Sequence, residues 1–326
     1  MKDKIRVAFI YKGSHVFFSG KHFDNTYYHF FIDALRRNER IEIGYFPVES
    51  IFDVTKLNGK FDIILLFGNR SWEIADELKG IHELGLPVIV RVGDAHKGYR
   101  EAKMNHAKYK IDYYFGFMHE DYFYKYYPKE FKYKTIIFGL EPSLYQNVTP
   151  FNQRIKNKIL NSGAIGNPKT ISKIVSSILD PESNAYKHYK LRAMCNKLPY
   201  VDYTPTLQNE YVGDKYSLLL SKYASAIAAT TTFPTIKYWE IPAAGCLTFM
   251  EITKQNMGEY LGFIDYETAI FINEKNYKEK FIEYLSDVEN PKWGKIALEG
   301  RKYTLGELNN DKAVESLIDL MMSLIR

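Results

Sequence analysis

Residues 230–262 combine a predicted helix start with a carboxylate one turn into that helix. A Thr-rich strand end leads into a short predicted helix that carries Glu240, and Gly245 ends this helix before an apolar strand at Cys246–Met250. Unpaired N–H groups at a helix start favour an anion, while a carboxylate one turn further accepts hydrogen bonds from a diol such as ribose. A sugar nucleotide has both an anion and a diol, but a solvent-exposed Glu on a capped helix has the same pattern, so both interpretations stay open.

A glycine-containing turn and three cations form a second candidate group. Gly163 and Gly166 precede a predicted helix, where N–H groups unobstructed by side chains can contact a phosphate. They form neither GxGxxG nor GxxxxGK[ST], so no dinucleotide or Walker-type site is predicted, and a structural turn is an equal alternative. Lys169, Arg192 and Lys237 are the candidates to neutralise a leaving diphosphate.

Candidate proton acceptors follow a buried strand in the first half of the chain. Asp94 and His96 come directly after that strand, and ligands of parallel sheets bind at the carboxyl ends of strands. Either side chain can take a proton from an acceptor hydroxyl, although an Asp that caps the next element is the simpler alternative. His15 and His22, in the loop after the first strand, are the predicted acceptor contacts, with a solvated loop as the alternative.

Motifs for metal binding and nucleophilic catalysis are missing from the sequence. There is no Asp-x-Asp, no His/Cys cluster at zinc spacing and no Gly-x-Ser-x-Gly. Backbone N–H groups at helix ends and Lys or Arg side chains can neutralise a diphosphate without Mg²⁺. We therefore expect a metal-independent protein with no cofactor besides a nucleotide-sugar substrate.

Length and composition indicate a globular protein of two domains. The chain has 326 residues, more than one domain usually holds, and its 46% hydrophobic content provides ample core. The net charge of +5 suits an anionic donor, but without clustered Lys and Arg there is no strong nucleic-acid signal. Two cysteines imply no disulfide framework. With no signal peptide and no run of 18 apolar residues, we predict a cytoplasmic protein with at most peripheral membrane contact.

Hydrophobic periodicity predicts alternating strands and helices in both halves of the chain. This alternation favours parallel sheets flanked by helices. In the first half, strands are predicted at residues 5–11, 41–48, 61–67, 86–92, 111–118 and 134–139, and helices at 27–37, 72–84 and 101–108. In the second half, strands are predicted at 159–165, 200–203 and 224–230, and helices around 171–179, 186–197 and 216–223. Two facing Rossmann-like domains with a cleft between them are the expected α/β architecture.

The second half resembles the donor-binding domain of GT-B glycosyltransferases, closest to the CgeB-like or GT4-like type. The residues that carry the resemblance are Lys237, Glu240, Ala243, Ala244 and Gly245, the hinge-like segment Phe138–Tyr145, and the turn Ser162–Gly166. In that family, the Glu before the small-residue turn holds the nucleotide ribose. The likeness covers about 134–305 and departs from the family pattern at 304–312.

The resemblance implies an acceptor domain at 1–145, a donor domain at 146–305 and a final helix at 306–326 that crosses back to the first domain. The implied activity is transfer of a sugar from a nucleotide-diphosphate donor, such as a UDP-sugar, to a hydroxyl of a glycan or other acceptor. The implied donor contacts are Gly163, Gly166, Lys169, Arg192, Lys237, Glu240 and Gly245. A GT-B-shaped epimerase and a non-catalytic nucleotide- or sugar-binding module are the alternatives. Closure of the two halves on donor binding is a further expectation.

Overall fold

The chain forms two compact units. A computed structural model of the protein describes residues 4–15, 27–165, 184–205, 211 and 215–325. Unit 1 comprises Met1–Gly139 together with Asn310–Arg326, and unit 2 comprises Leu140–Asn309. The unit boundaries thus follow Gly139 and Asn309, whereas the sequence prediction set them at residues 145 and 305.

Unit 1 is built on a six-stranded parallel sheet in the order β2-β1-β4-β6-β7-β8. Its two central strands are buried along their whole length and are apolar apart from Arg91, as expected for strands with both faces covered. A separate parallel pair is formed by β3 and β5. The strands are β1 (Ile5–Lys12), β2 (Ile41–Val48), β3 (Ile51–Asp53), β4 (Ile63–Leu66), β5 (Glu77–Lys79), β6 (Val88–Arg91), β7 (Tyr113–Gly116) and β8 (Tyr133–Thr135).

The helices of unit 1 include the last helix of the chain. They are α1 (Tyr27–Arg37), α2 (Ala95–Lys108), α3 (Glu120–Tyr124) and the terminal helix, α10 (Asn310–Ile325), with a 3₁₀ helix at Val54–Leu57. Asn310 Oδ1 accepts a hydrogen bond from the Gly139 N–H at 2.6 Å, and Asp311 forms an ion pair with Arg37 at 2.8 Å. These contacts join α10 to unit 1.

The prediction of a helix at residues 72–84 is wrong. The segment forms turns around the short strand β5, in which Leu78 is buried and Glu77 and Lys79 are exposed. Such alternation is the period of a strand, and β5 finds its partner in β3. The apolar residues Ile74, Leu78 and Ile81 have helical spacing and are all buried, but they do not share one helix. Leu78 lies in β5, and the other two lie in the turns on either side of it.

Unit 2 is built on a five-stranded parallel sheet in the order β10-β9-β11-β12-β13. Its strands are β9 (Ile155–Ser162), β10 (Val201–Thr204), β11 (Tyr223–Ala228), β12 (Leu247–Glu251) and β13 (Ile270–Ile272). Its helices are α4 (Ala185–His188), α5 (Lys190–Cys195), α6 (Tyr216–Leu220), α7 (Lys237–Ala243), α8 (Tyr277–Ser286) and α9 (Pro291–Glu307). Short 3₁₀ helices lie at Pro142–Tyr145, Phe151–Gln153 and Gly258–Leu261.

Several predicted elements of unit 2 differ in detail. The helix predicted at 186–197 is divided in two at Tyr189, and the helix predicted at 216–223 ends at Leu220. The predicted helix around 171–179 lies outside the described residues. Among the helices that the structure describes, none has the length and apolar content needed to cross a bilayer.

Candidate functional site

A glycine at the carboxyl end of β9 brings two cations together. Gly163 has a φ of +93°, a left-handed conformation that side chains rarely adopt. A Cβ at this position would lie 2.8 Å from Lys237 Cε and 3.2 Å from Arg192 Nη2. Both long side chains therefore pack directly over the glycine, and a larger residue would displace them.

Hydrogen bonds to residues at the end of β9 fix the position of the Arg192 side chain. Its guanidinium donates from Nε to Asn161 Oδ1 at 3.0 Å and from Nη2 to the Ser162 carbonyl, while Asn161 Nδ2 donates back to the Arg192 carbonyl at 3.0 Å. Burial lowers the pKa of Arg192, but a guanidinium stays protonated in proteins. The side chain, only 2% exposed, is thus a fixed positive charge at the strand end.

Lys237 is the first residue of α7, and two hydroxyl groups hold its amine. Nζ lies 3.1 Å from Tyr216 Oη and 3.4 Å from Ser162 Oγ, and the two hydroxyl oxygens are 2.5 Å apart. Nζ also lies over the Tyr216 ring, 4.3 Å from its centroid. Burial and the neighbouring Arg192 lower the pKa of Lys237, against the opposing effect of Glu240. Neither Ser162 nor Tyr216 was predicted to be a site residue, because nothing in their local pattern separates them from core residues.

Glu240 lies one turn after Lys237 on the same helix and is partly exposed. Burial raises the pKa of its carboxyl, an effect that the Lys237 amine opposes, and no described residue donates a hydrogen bond to it. The Tyr145 side chain, in a 3₁₀ helix of the same unit, lies close enough for the Glu240 carboxylate to contribute, besides burial, to its raised pKa. The carboxylate is therefore available to accept hydrogen bonds from a ligand.

Gly245 lies at the other end of α7 and terminates it. Its φ is +73°, and its N–H donates to the Pro242 carbonyl at 2.8 Å. A Cβ here would lie 3.3 Å from Arg154 Nη2, which donates to the Ala244 carbonyl at 2.8 Å. Gly245 thus contributes by orienting the helix, and it does not lie with the cations over Gly163.

A buried polar network surrounds the ends of β11 and β12. Tyr238 Oη accepts a hydrogen bond from the Thr230 N–H at 2.9 Å and donates to the Glu251 carbonyl at 3.0 Å. Asn256 Nδ2 donates to the same Glu251 carbonyl at 2.6 Å. The Glu251 side chain is only 3% exposed, and burial, with a smaller effect of Glu274, raises its pKa to about 7.

In unit 1, Asp94 and His96 follow β6, as the sequence predicts. Asp94 occupies the N-cap position of α2 but makes no capping hydrogen bond from its side chain. Its carboxylate forms an ion pair with Lys97 at 3.3 Å and is 41% exposed. Burial alone would raise the pKa of Asp94, but nearby cations, led by Lys97, hold it below its usual value. His96 is buried, with Nδ1 3.4 Å from Tyr122 Oη.

His15 lies after β1 and packs among aromatic rings. It stacks on Trp72 at 4.9 Å between centroids and contacts the Phe67 ring edge-on. Burial lowers the pKa of His15 to about 4, with Glu73 opposing this effect, so the ring is neutral at physiological pH. Trp72 is 46% exposed and is the accessible group of this cluster.

The structure thus brings some of the predicted site residues together. Gly163, Arg192 and Lys237 meet at the carboxyl end of β9, with Glu240 one turn along α7. Asp94, His96 and His15 lie in unit 1, each after a strand of its sheet. Gly166, Lys169 and His22 lie outside the described residues.

Comparison with known proteins gives a likeness of structure alone. No protein-family model and no curated protein sequence matches the chain. Among solved structures, Anabaena Alr3699/HepE in complex with UDP superposes with a TM-score of 0.59 at 12% identity, over 98% of this chain and 100% of that one. Sucrose-phosphate synthase from Thermosynechococcus elongatus gives 0.60 at 12% identity, over 98% and 99%. A glycosyltransferase from Rickettsia africae gives 0.58 at 11% identity, over 99% of both chains.

These matches extend over almost the whole chain and define its fold class. The two Rossmann-like units, each with a parallel sheet, match the GT-B fold of these glycosyltransferases, which confirms the predicted fold class. At identities this low, the likeness concerns the fold and leaves the chemistry to the residues of the site.

Proposed function

We propose that this protein transfers a sugar from a nucleoside-diphosphate sugar to an acceptor hydroxyl, and that unit 2 binds the donor. The observation that carries the proposal is the convergence of Arg192 and Lys237 over Gly163, with the open carboxylate of Glu240 one turn away. Ligands of α/β sheets bind at this carboxyl edge. The segment Lys237–Gly245 favours the CgeB-like or GT4-like type within the fold class.

The donor chemistry follows from these charges. In the proposed complex, the diphosphate lies against the glycine, where Arg192 and Lys237 neutralise the charge that develops as the bond from the sugar to the phosphate breaks. Glu240 accepts hydrogen bonds from the ribose hydroxyls. Because two cations already converge there, we propose that the departure of the diphosphate needs no metal ion.

Unit 1 supplies the proposed acceptor side. Asp94 is ionised at neutral pH and half-exposed, so its carboxylate can take the proton of an acceptor hydroxyl as the oxygen attacks the sugar carbon. The buried His96 is less accessible for this role. His15 remains a proposed acceptor contact, through the aromatic cluster in which Trp72 is exposed.

A thermal-shift screen of nucleotide sugars tests the donor half of the proposal. A ligand that binds only the folded state stabilises it by about 2.7 kcal/mol at a concentration of 100 times its Kd. UDP-sugars come first, because HepE was crystallised with UDP-glucose. Lys237→Met should abolish the shift. Lys295→Met, which replaces an exposed lysine of α9, is the matched control and should not.

Turnover then separates the alternatives. Release of free nucleoside diphosphate that depends on an added hydroxyl acceptor supports a transferase. Interconversion of the sugar without an acceptor would indicate an epimerase, and saturable binding without turnover of any acceptor would indicate a binding module. Absence of any nucleotide or nucleotide-sugar binding would refute the proposal.

A further inference from the structure

The two cations over Gly163 differ in kind. Arg192 carries a permanent charge, whereas a lysine amine can lose its proton when it is buried. Arg192 Nη2 and Lys237 Nζ each lie 3.2 Å from the position of a Cβ on Gly163, so the two nitrogens are within twice that distance of each other. Like charges this close repel in a partly buried site. Burial and this repulsion lower the pKa of the amine, against the opposing effect of Glu240.

Ser162 and Tyr216 hold the amine at this place. Tyr216 is buried, and its hydroxyl contacts both Lys237 Nζ and Ser162 Oγ. An ammonium group has three N–H donors, and these two hydroxyls accept two of them within the described part of the chain. The third donor remains for an oxygen of a ligand.

Among the described residues, the other titratable groups around Lys237 do not change charge near neutral pH, with one exception. Burial raises the pKa values of Tyr145, Tyr216 and Cys246, so these groups stay neutral, and Arg192 stays charged. The exception is Glu240, on the same helix as Lys237. In the described part of the chain, Lys237 and Glu240 are therefore the groups of this site whose proton content can change.

We infer that Lys237 is the proton-linked cation of this site, positioned by Ser162 and Tyr216, and that it takes up a proton when a nucleoside diphosphate binds. The inference rests on the proposed function, since it takes a diphosphate as the ligand. An anion beside the amine favours its charged form. The proton comes from the solvent buffer and ends on Nζ, and no other bond changes.

Calorimetry of UDP binding measures the proton directly. Titrations at pH 8 in Tris and in HEPES, whose ionisation enthalpies differ, should give heats that differ by the uptake of up to about one proton per UDP. Above the pKa of the free amine, the Kd should rise about tenfold per pH unit. Lys237→Arg should bind UDP without proton uptake and with a flat pH profile, because its guanidinium is always charged.

The Lys237→Arg variant also separates the two titratable groups. If proton uptake persists in this variant, Glu240 is the acceptor and the inference is overturned. If wild-type protein binds UDP with equal heats in both buffers, the inference alone fails. If the wild type binds neither UDP, GDP nor ADP, the proposed function fails as well.

The positioning role of Tyr216 has a matched control within the same unit. Lys280 Nζ lies 2.6 Å from Tyr266 Oη and 4.4 Å from the centre of its ring, which repeats the lysine–tyrosine geometry on an exposed surface. Tyr216→Phe should weaken UDP binding about tenfold and displace its pH profile, whereas Tyr266→Phe should change neither. Wild-type affinity and pH profile in Tyr216→Phe would overturn the role. Ser162→Ala, which removes the second hydroxyl, provides the same test if Tyr216→Phe does not fold.

Discussion

Arg154 Nη2 donates a hydrogen bond to the carbonyl oxygen of Ala244 at 2.8 Å and thereby closes the end of the helix that presents Lys237 and Glu240. The same guanidinium donates from Nε to the Thr149 carbonyl at 2.7 Å. The orientation of α7 therefore depends on a side chain at the start of β9. Gly245 leaves the room that this contact needs.

Gly245→Ala should destabilise the protein by roughly 1–2 kcal/mol, the cost of a left-handed conformation for a residue with a Cβ. Its new methyl group would also lie 3.3 Å from Arg154 Nη2. Urea unfolding measures the loss. Gly306→Ala, in helix α9 with nothing within 4 Å of the new Cβ, should be neutral or stabilising. Equal stabilities of the two variants would contradict this account of the helix end.

Glu240→Gln should weaken nucleoside-diphosphate binding by roughly 1.5–3 kcal/mol, the range for a hydrogen bond to a charged group. The fold should lose little stability, because no described residue donates a hydrogen bond to this carboxylate. Calorimetry with UDP is the measurement, and Glu267→Gln, at an exposed position of the same unit, is the control. Unchanged affinity in Glu240→Gln would exclude a ribose contact.

Asp94→Asn should lower kcat by roughly 10²-fold or more, the usual contribution of a general base. Donor affinity should be unchanged, because Asp94 belongs to unit 1. Stability should also change little, since the Asp94 side chain makes no capping hydrogen bond to α2 and its ion pair with Lys97 is partly exposed. A comparison of steady-state rates with UDP affinity separates these effects, and a variant with full kcat would remove Asp94 from the catalytic step.

Chelation should leave turnover unchanged. Because Arg192 and Lys237 converge where the diphosphate is proposed to bind, EDTA should not reduce the rate, and added Mg²⁺ or Mn²⁺ should raise it little. The rate is measured in EDTA, and then again after each metal is restored. A rate that collapses in EDTA and recovers with one divalent ion would show that the two cations do not suffice.

Glu251 should make the stability of unit 2 depend on pH. Its pKa in the folded state is raised to about 7, above the ordinary value of a glutamate. The contribution of this carboxyl to the free energy of unfolding is therefore fully present below its unfolded pKa, and it is lost as pH rises from about 4.5 through about 7. At the 1.36 kcal/mol that one pKa unit represents, the loss is of order 3 kcal/mol at pH 8.

Glu251→Gln removes this titration. It should be more stable than the wild type at pH 8 and close to it at pH 4.5, as measured by urea unfolding at both pH values. Glu299→Gln, at a partly exposed position of α9, serves as the control. Parallel pH profiles of wild type and Glu251→Gln would show that this carboxyl does not titrate between those pH values.

Local sequence patterns predicted the strands better than the helices. Continuous apolar runs such as Ile63–Leu66 are buried on both faces, and this requirement is visible in the sequence. The segment 72–84 shows the opposite case, because Leu78 is buried through its pairing with β3, a contact that local spacing does not reveal. The predicted helix 186–197 was similarly divided at Tyr189 by the tertiary structure.

For the candidate site, the chemistry of single residues was predictable and their neighbours were not. Glu240, Lys237 and Gly163 can be selected by residue type and position after strands. Ser162 and Tyr216 could not be selected, because a serine at a strand end and a tyrosine in a short helix are common in any core. Their role follows only from their contacts with Lys237.

The sequence by itself determined an α/β protein of two halves, because buried parallel strands need apolar runs and the connecting helices need apolar faces. Only the tertiary structure decided which charges meet. Arg192 and Lys237 lie on different helices, far apart in the chain, and they converge because parallel pairing brings the carboxyl end of β9 beneath both of them. A glycine without a side chain at that strand end lets the two cations lie side by side.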